Sequence, residues 1–402
     1  MSITFAAHAP SETATVSQRA RGRRRLPLTR LGWLVLAIAA AAWATGALLG
    51  WLELTTLAAL GLVLVLFAVP FIVGRTSVHC ELQMSTLRVV AGQTAAGQLV
   101  VTNTGRGRLL PFELQLPVGE AVARFSVPSL APGGSHDELL IIPTQRRGIV
   151  AVGPASAVRG DPLGLLRRSV AAGERHQLYV HPRTVRLGSL GHGLLRDLEG
   201  MESDALSHSD VAFHALREYE PGDDRRHIHW RSSARANTLL VRQFADTRRS
   251  HVMLLLSTDE REYATGEEFE AAVSTVGSIG LQALREEQRL EVFAGGARLP
   301  ARGGQLLMDG LSGVQSGRRG GFAGNAPLLP VDRASASVLV LVTGSRLAPA
   351  RLRSAARQAT SGAVLAVRMD AAEASGFRVV GGVPTVSVAD LGELRRLLRA
   401  VS

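Results

Sequence analysis

Two uncharged apolar segments close to the N-terminus constrain this chain more than any other feature of its sequence. Leu31–Gly50 and Leu54–Val73 each contain 20 residues without a charge. At about 1.5 Å of helix per residue, each is long enough to cross the hydrocarbon core of a bilayer. Because only three residues separate them, the sequence predicts a transmembrane helical hairpin over 31–74. A cleaved signal peptide is a poorer interpretation, since its apolar run is shorter and no second segment follows it.

The distribution of arginines predicts the orientation of this hairpin. Arg75 follows the second segment, and the short connection carries only Glu53. Cytoplasmic flanks of membrane spans are enriched in basic residues, so we expect a multi-pass protein of the plasma (inner) membrane with cytoplasmic N- and C-termini. Residues 1–30 are expected to form a disordered, basic cytoplasmic tail. The basic residues before the first segment are Arg21, Arg23, Arg24, Arg25 and Arg30.

The composition restricts the expected partners to the lipid bilayer and other proteins. The chain has 402 residues and a formal charge of +11, yet all 45 basic residues are arginine, a bias typical of a GC-rich genome. Only 4% of residues are aromatic, whereas proteins that bind single strands interleave basic and stacking residues. We therefore expect no nucleic-acid partner. The lone Cys80 excludes an internal disulfide and a cysteine-cluster zinc site, and no cofactor is expected.

Residues 76–185 have the pattern of a small antiparallel β-domain. Short runs rich in β-branched and aliphatic residues alternate with polar residues and are broken by turn residues, which is typical of strands with one buried face. We expect an immunoglobulin-like β-sandwich, a module that usually binds another molecule or acts as a spacer between domains. Within it, Asp161–Leu165 (Asp-Pro-Leu-Gly-Leu) is expected to form a tight turn. The clearest strand candidates are 98–103, 112–117, 138–144 and 176–182.

Residues 251–402 alternate apolar strands with helical segments. The run His251–Ser257 is followed by Gly266–Gln288, whose apolar residues recur with a helical period. This alternation predicts a doubly wound, largely parallel sheet covered on both faces. The glycine-rich segment 303–325 is expected to be a mobile loop. Further strand candidates are 289–295, 337–344, 362–369 and 385–390, and further helix candidates are 346–358 and 389–401.

The end of the first strand is the place to look for chemistry, because such sheets bind ligands beyond the carboxyl ends of their strands. A von Willebrand factor A fold with a working metal site carries Asp-x-Ser-x-Ser there, which supplies oxygen ligands for a divalent ion. This chain has Ser257, Asp259 and Arg261 at those positions. The sequence therefore predicts a degenerate site without a metal, and a site that uses Asp259 from a shifted register stays open.

Residues 186–250 are expected to be a linker that contains a densely charged motif, REYEPGDDRRHIHWRSSAR at 217–235. One interpretation is a metal site, since His227 and His229 would share one face of a strand. Asp223 and Asp224 lie nearby, with His208 and His214 upstream. A second interpretation is a hydrolase that uses the two aspartates as a carboxylate pair. Five arginines in the same stretch oppose the binding of a dication.

The third interpretation of the motif is an ion-pair network. Arginine forms bidentate pairs with carboxylates, so the acids and arginines would hold the Pro-Gly turn against the following domain and present a docking surface for a protein. The residues assigned to this interdomain or binding motif are Arg217, Glu218, Tyr219, Pro221, Gly222, Asp223, Asp224, Arg226, Trp230, Arg235 and Arg242. We assign no catalytic residue.

Taken in order, these motif residues together with Ile228, Ala234 and the segment 240–242 resemble the signature of a bacterial membrane family, domain of unknown function 58 (DUF58). The order of the chain over roughly residues 30–400 is also similar to that family: two spans, a β-rich region with Arg-Arg-Gly and Asp-Pro-Leu-Gly-Leu, the signature, and a von Willebrand A-like domain. The chain departs from the pattern at Ser257, where many relatives keep an acid, and at His229, where an aspartate is common.

The resemblance implies a function in assembly and no catalytic residue. Genes of this family commonly neighbour MoxR-type AAA+ ATPases and transglutaminase-like membrane proteins, which implies these two as partners. We therefore expect a membrane-anchored, non-enzymatic adaptor or assembly factor. The alternative is a metal-dependent hydrolase that uses the His and Asp residues of the motif. A further alternative, binding of anionic lipid or nucleic acid through the arginines, predicts association that depends strongly on salt.

Overall fold

The computed structural model divides into two compact units, Met1–His181 (unit 1) and Pro182–Ser402 (unit 2). The described residues are 28–72, 77–188, 211–219, 228–246, 251–322, 337–357 and 363–400.

Unit 1 begins with two antiparallel helices, α1 (Arg30–Leu49) and α2 (Leu52–Ile72). With mean hydropathies of 1.8 and 2.4, both are long and apolar enough to cross a membrane, and the two predicted segments are confirmed as helices. α2 starts two residues earlier than predicted, because Glu53 in its first turn is favourable at a helix N-terminus. The connection is a tight one: Gly50 adopts a left-handed conformation with φ 71°, and the Trp51 N–H donates to the Gly46 carbonyl at 3.0 Å.

The described residues of unit 1 that follow α2 form two β-sheets and no further α-helix. One sheet has the order β1-β3-β6, and the other has the order β2-β10-β7-β4-β8-β9 with β5 paired to β4. Leu99 and Leu140 from the first sheet and Leu114 and Leu178 from the second belong to one buried apolar cluster. The four predicted strands are confirmed as β3, β4, β6 and β10. The strands are β1 (Val78–Met84), β2 (Arg88–Val90), β3 (Thr94–Asn103), β4 (Phe112–Val118), β5 (Ala121–Val127), β6 (Ser135–Pro143), β7 (Gly148–Val152), β8 (Ala155–Gly160), β9 (Arg167–Ala172) and β10 (His176–His181).

The predicted turn at Asp161–Leu165 joins β8 to β9. The Asp161 carboxylate accepts hydrogen bonds from the N–H groups of Leu163 at 2.9 Å and Leu166 at 2.5 Å. The Gly164 N–H donates to the Asp161 carbonyl at 3.0 Å, with Gly164 in a left-handed conformation. The buried carboxylate therefore organises the whole turn, as aspartate does in an Asx-turn.

This turn holds the N-terminal end of α1. The Thr29 N–H donates to the Leu165 carbonyl at 2.9 Å, and the Thr29 hydroxyl donates to the Gly164 carbonyl at 2.7 Å. The same Thr29 oxygen accepts from the Gly32 N–H at 3.0 Å and caps the helix. A Cβ at Gly32 would lie 2.3 Å from the Leu165 carbonyl oxygen, so this close approach requires glycine.

The end of α2 is held by the same part of the β-region. An Arg168 guanidinium nitrogen donates to the carbonyl of Ile72, the last residue of α2, at 3.3 Å. Ile72 is buried in a small apolar cluster with Ala68, Leu165 and Leu166. Both helix ends on this side are therefore bonded to the β8–β9 connection and its flanks.

Unit 2 contains a seven-stranded sheet in the order β15-β14-β13-β16-β17-β19-β18. The five central strands are parallel, and β15 and β18 pair antiparallel at the two edges, so the predicted largely parallel sheet is confirmed. The strands are β13 (His251–Leu256), β14 (Arg289–Ala294), β15 (Ala297–Leu299), β16 (Val338–Gly344), β17 (Ala363–Met369), β18 (Gly376–Val380) and β19 (Val383–Val388).

Both faces of this sheet are buried. Alternate residues of β13 point to opposite sides: Leu254 lies in one apolar cluster with residues of three helices, and Leu255 lies in another with residues of a fourth. A helix over 304–312 corrects the prediction of a loop there, because Leu307 and Leu311, four residues apart, are buried against the sheet despite the surrounding glycines. The helices of this region are α4 (Gly266–Arg285), α5 (Gly304–Ser312), α6 (Pro349–Arg357) and α7 (Leu394–Ala400).

A two-stranded antiparallel pair, β11 (Val211–Glu218) and β12 (Leu240–Asp246), precedes this sheet in the chain. A short helix, α3 (Trp230–Ala236), lies between them in sequence. The Ser233 hydroxyl accepts from the Leu240 N–H at 2.8 Å and fixes α3 to the start of β12.

Candidate functional site

The strand order of unit 2 reverses at β13, and this reversal defines the candidate site. β14 and β15 lie on one side of β13, whereas β16 and the later strands lie on the other. In an open parallel sheet, the crevice beyond the carboxyl ends of the strands at such a switch point is the usual place for a ligand. The residues that follow β13, together with the last two residues of β16 and the two after them, therefore line this edge, which we call the switch-point edge: residues 257–263 and 343–346.

Asp259 and Arg261 form an ion pair at the switch-point edge. The Asp259 side chain is only 2% exposed and the Arg261 side chain 68% exposed. The Arg261 Nε lies 2.9 Å from Asp259 Oδ1, and a terminal guanidinium nitrogen lies 2.6 Å from Oδ2. The Arg261 backbone N–H also donates to Oδ1 at 3.0 Å. The paired geometry is the bidentate fork that arginine offers a carboxylate.

This pair sets the ionisation of the buried carboxyl. Hydrogen bonds from the Arg261 side chain lower the pKa of Asp259, and the backbone N–H and the positive charge of Arg261 act in the same direction. Burial acts in the opposite direction without prevailing. Asp259 is therefore a carboxylate whose counterion is supplied by the chain, two residues away.

Two more acidic side chains are buried beside it. Glu262 is 2% exposed and accepts a hydrogen bond from the Thr343 hydroxyl at 2.9 Å. Glu268 is 6% exposed and accepts from the Ala264 N–H at 2.7 Å and the Ser345 hydroxyl at 3.0 Å. Each carboxylate thus has donors from the chain, as buried charged groups require.

Tyr263 closes the inner side of the edge. Its hydroxyl donates to the Ser257 carbonyl at 2.6 Å, and its ring packs edge to face on Phe269 with centroids 5.2 Å apart. Burial raises the pKa of this phenol far above its ordinary value. Tyr263 is therefore a neutral donor that fixes the end of β13.

A return segment from the loop after α5 covers the outer side. The Gly317 N–H donates to the Thr258 carbonyl at 2.8 Å, and the Thr258 N–H donates to the Gly320 carbonyl at 3.1 Å. A guanidinium nitrogen of Arg261 donates to the Arg318 carbonyl at 3.2 Å. Residues 317–320 are therefore bonded to the switch-point edge.

The sequence pointed to Ser257, Asp259 and Arg261, and the structure places all three at this edge. The sequence analysis did not identify Glu262, Glu268, Thr343 or Ser345 as residues of this edge. One available signal was Thr265-x-x-Glu268, the pattern of a capping box. Thr265 does cap α4 by accepting from the Glu268 N–H at 3.2 Å. Thr343 and Ser345 have no such local signature, because they reach the site only through the pairing of β16 with β13.

The structure describes only part of the charged motif at 217–235, namely residues 217–219 and 228–235. β11 and β12 place Arg217 opposite Val241 and Arg242 opposite Leu216, and the next pair is Glu218 opposite Leu240. The Tyr219 N–H donates to the Leu239 carbonyl at 2.8 Å. Pro221, Gly222, Asp223, Asp224 and Arg226 lie outside the described residues, as do His208 and His227, so the predicted ion-pair network stays a prediction.

The part of the motif on α3 is exposed. Trp230, the first residue of the helix, is 67% exposed, and Arg235 in the last turn is exposed as well. His229 caps the helix, with its Nδ1 accepting from the Ser232 N–H at 3.2 Å, so that this nitrogen is already engaged. Across the described ranges, no group of three or more His, Cys, Asp or Glu side chains is placed to hold a metal ion.

Two solved structures resemble parts of this chain at low TM-scores. The CARDB domain of a Pyrococcus furiosus protein matches with a TM-score of 0.20 and 15% identity, covering 26% of this chain and 86% of that domain. The alkylpurine DNA glycosylase AlkC of Pseudomonas fluorescens matches with a TM-score of 0.20 and 12% identity, covering 37% of this chain and 47% of that structure. Similarity at this level carries no argument about fold or function.

Sequence comparison gives a more informative result. The uncharacterized protein YeaD of Bacillus subtilis is 27% identical over 218 residues, which is 50% of this chain and 52% of that protein. The match therefore spans about half the length of this relative. The model of a protein family, described as protein of unknown function DUF58, matches residues 215–378, from β11 through most of the parallel sheet.

Proposed function

We propose that this chain is a DUF58-type membrane protein that acts as a non-enzymatic adaptor and engages a MoxR-type AAA+ ATPase. In this proposal α1 and α2 span the plasma membrane with both termini in the cytoplasm. The β-region of unit 1 is an immunoglobulin-like sandwich, which its two sheets around one buried cluster support. Residues 251–402 form a von Willebrand A-like domain, which is supported by the parallel order and the reversal at β13.

The observation that carries the adaptor proposal is the Asp259–Arg261 pair. A carboxylate whose charge is already compensated by an arginine attracts a metal ion less than an unpaired carboxylate does. Here both oxygens accept hydrogen bonds from Arg261 at 2.6–3.2 Å, and the arginine supplies the positive charge that a cation would bring. The family resemblance adds the expected partner, since it implies a MoxR-type ATPase together with membrane proteins of the same gene neighbourhood.

The best candidate for the docking surface is α3. Tryptophan and arginine are the residues most enriched at the energetic centres of protein interfaces, and Trp230 exposes 67% of its surface. Arg235 is exposed on the same short helix. A partner that buries Trp230 would remove a large apolar side chain from water, which is worth roughly 2 kcal/mol or more.

The test is an affinity pull-down of the full chain from native membranes, with ATP or a non-hydrolysable analogue. We expect a MoxR-type ATPase to co-purify with the wild type and to be lost with Trp230→Ala. Trp51→Ala is the matched control, because Trp51 is also exposed, at 57%, but lies at the α1–α2 connection. Equal recovery of the ATPase with both variants would contradict the proposed docking surface.

The hydrolase alternative has a separate test. Metal analysis of the purified full chain would show stoichiometric zinc or manganese if the motif were a metal site, and the metal would be lost in a His227→Ala, His229→Ala double variant. That result would overturn the adaptor proposal in favour of the hydrolase.

A further inference from the structure

A basic cavity lies at the base of the helix pair in unit 1. Its volume is about 670 Å³, and Thr29 at the start of α1 and Phe71 at the end of α2 are both part of its wall. It therefore opens where the apolar helices meet the β-region. Sites for small ligands commonly enclose roughly 300–1,000 Å³, so the cavity is large enough for a lipid headgroup.

The charge of the cavity wall is positive. Arg124, Arg159 and Arg167 line it, and Glu113 is the acidic residue of the lining. The Glu113 carboxylate lies 3.8 Å from the Arg124 Nε, so this pair offsets itself. Arg159 and Arg167 leave the cavity with an excess of positive charge.

Arg159 is held in an unfavourable position for a cation. It lies directly opposite Arg168 in the β8–β9 ladder, and like charges at such a pair repel each other. Burial lowers the pKa of Arg159, and the charge of Arg168 adds to this effect. Among the described residues, the buried Nε of Arg159 has no hydrogen-bond acceptor. An anion bound near Arg159 would offset this repulsion.

The surroundings distinguish a lipid from a free anion. Leu110 and Phe112 add apolar wall beside Phe71. Phe71 packs edge to face on Phe67 with centroids 5.7 Å apart, and Phe67 is 61% exposed on the outer surface of α2. An apolar path therefore leads from the cavity along the helix, as the acyl chains of a bound lipid need.

We propose that this cavity binds the phosphate headgroup of an anionic glycerophospholipid, with Arg167 as its phosphate ligand, the charge of Arg159 as a further attraction, and the acyl chains lying along α2. The inference rests on the proposed insertion of α1 and α2 into the membrane. Arginine suits a phosphodiester because its planar fork offers two parallel donors.

The test is a binding titration of the full chain in neutral detergent. The probes are dioctanoyl phosphatidylglycerol, dioctanoyl phosphatidylcholine, glycerol 3-phosphate and inorganic phosphate. We expect saturable binding of the phosphatidylglycerol, and affinities at least about tenfold weaker for the other three probes, which lack either the net charge or the acyl chains. Equal affinity for phosphatidylcholine, or for either soluble phosphate, would overturn the lipid site.

Variants locate the site. Arg159→Gln and Arg167→Gln are each expected to weaken phosphatidylglycerol binding by about tenfold. Arg106→Gln removes the same charge from an exposed position outside the cavity and is expected to leave binding unchanged. Arg167 is exposed, so its variant tests the site even if Arg159→Gln unfolds the chain. Equal losses in Arg106→Gln and Arg167→Gln would show diffuse electrostatic attraction and reject the cavity.

Alkaline carbonate extraction of membranes separates this inference from the membrane anchor on which it rests. A chain that stays in the membrane but does not prefer phosphatidylglycerol rejects the lipid site alone. A chain that carbonate extracts rejects the anchor, and with it the lipid site.

Discussion

At the scale of single residues, Arg261 gives the switch-point edge its character. A buried carboxylate needs a compensating charge, and in a metal-binding sheet that charge would come from an ion. Here a side chain two positions along the chain supplies it, with three side-chain contacts at 2.6–3.2 Å. The compensation is therefore covalently tethered to the site and always present.

Acidification tests this pair. Hydrogen bonds from Arg261 hold the pKa of Asp259 below its ordinary value, which is about 3.9 in an unfolded chain. A carboxyl whose pKa is lower in the folded state contributes stability that is complete above the unfolded pKa and is lost as the pH falls through the folded pKa. In Arg261→Gln the buried carboxyl keeps its desolvation and loses its partner, so the folded pKa rises. We expect the variant to be destabilised at pH 7, the difference to narrow as the pH falls towards 4, and the two proteins to converge only below the lowered folded pKa of Asp259.

The measurement is the unfolding temperature of the full chain in detergent across this pH range, with amide exchange of β13 reporting on unit 2. Arg302→Gln is the matched control, because it removes an exposed arginine elsewhere in the same unit. A difference between Arg261→Gln and wild type that is independent of pH would show that the pair does not control the ionisation of Asp259.

At the scale of elements, the β8–β9 turn joins the helices to the β-region. Its carbonyls accept from Thr29, and its apolar residues pack against the end of α2. Because Asp161 is 7% exposed and accepts from two backbone N–H groups, the form of the turn depends on this one carboxylate. We expect removal of the Asp161 carboxylate to weaken the contacts of the turn with the ends of both helices.

Asp161→Ala tests this dependence. Removal of the carboxylate leaves the N–H groups of Leu163 and Leu166 without their acceptor, which costs roughly 1–3 kcal/mol of folding free energy for a buried group. We expect a loss of that size for unit 1 and faster proteolysis near the turn. Asp161→Asn retains one acceptor oxygen and should lie between alanine and wild type. Stability equal to wild type in both variants would refute the role of the carboxylate.

At the scale of the whole molecule, the central proposal is that α1 and α2 form a membrane anchor. Cysteine labelling of intact spheroplasts with an impermeant maleimide tests its orientation. Burial raises the pKa of the only native thiol, Cys80, to about 11, so it stays protonated near neutral pH and gives little background. We expect Glu53→Cys to be labelled in intact spheroplasts and Ser316→Cys only after permeabilisation. The reverse pattern would invert the proposed topology.

Much of this architecture is predictable from the sequence because most helices and strands have a regular spacing of apolar and polar residues. The uncharged segments gave α1 and α2, alternation gave strands such as β3 and β4, and apolar runs gave the parallel strands. In α5, glycines interrupt the helical spacing of apolar residues, and the prediction of a loop over this segment was wrong. Contacts between distant residues have no local signal: Thr29 and Gly164 are 135 positions apart, and Thr343 meets Glu262 only because β16 pairs beside β13.

The attachment of the β8–β9 turn and its flanks to both helices also has a mechanical consequence. The bonds of the turn to Thr29 and the neighbouring Arg168 bond to Ile72 act in parallel on the first turn of α1 and the last turn of α2. A force applied to the β-region is therefore shared between two helices. If α1 and α2 span a bilayer as proposed, a partner that pulls on this region would have to extract both helices together or break the turn.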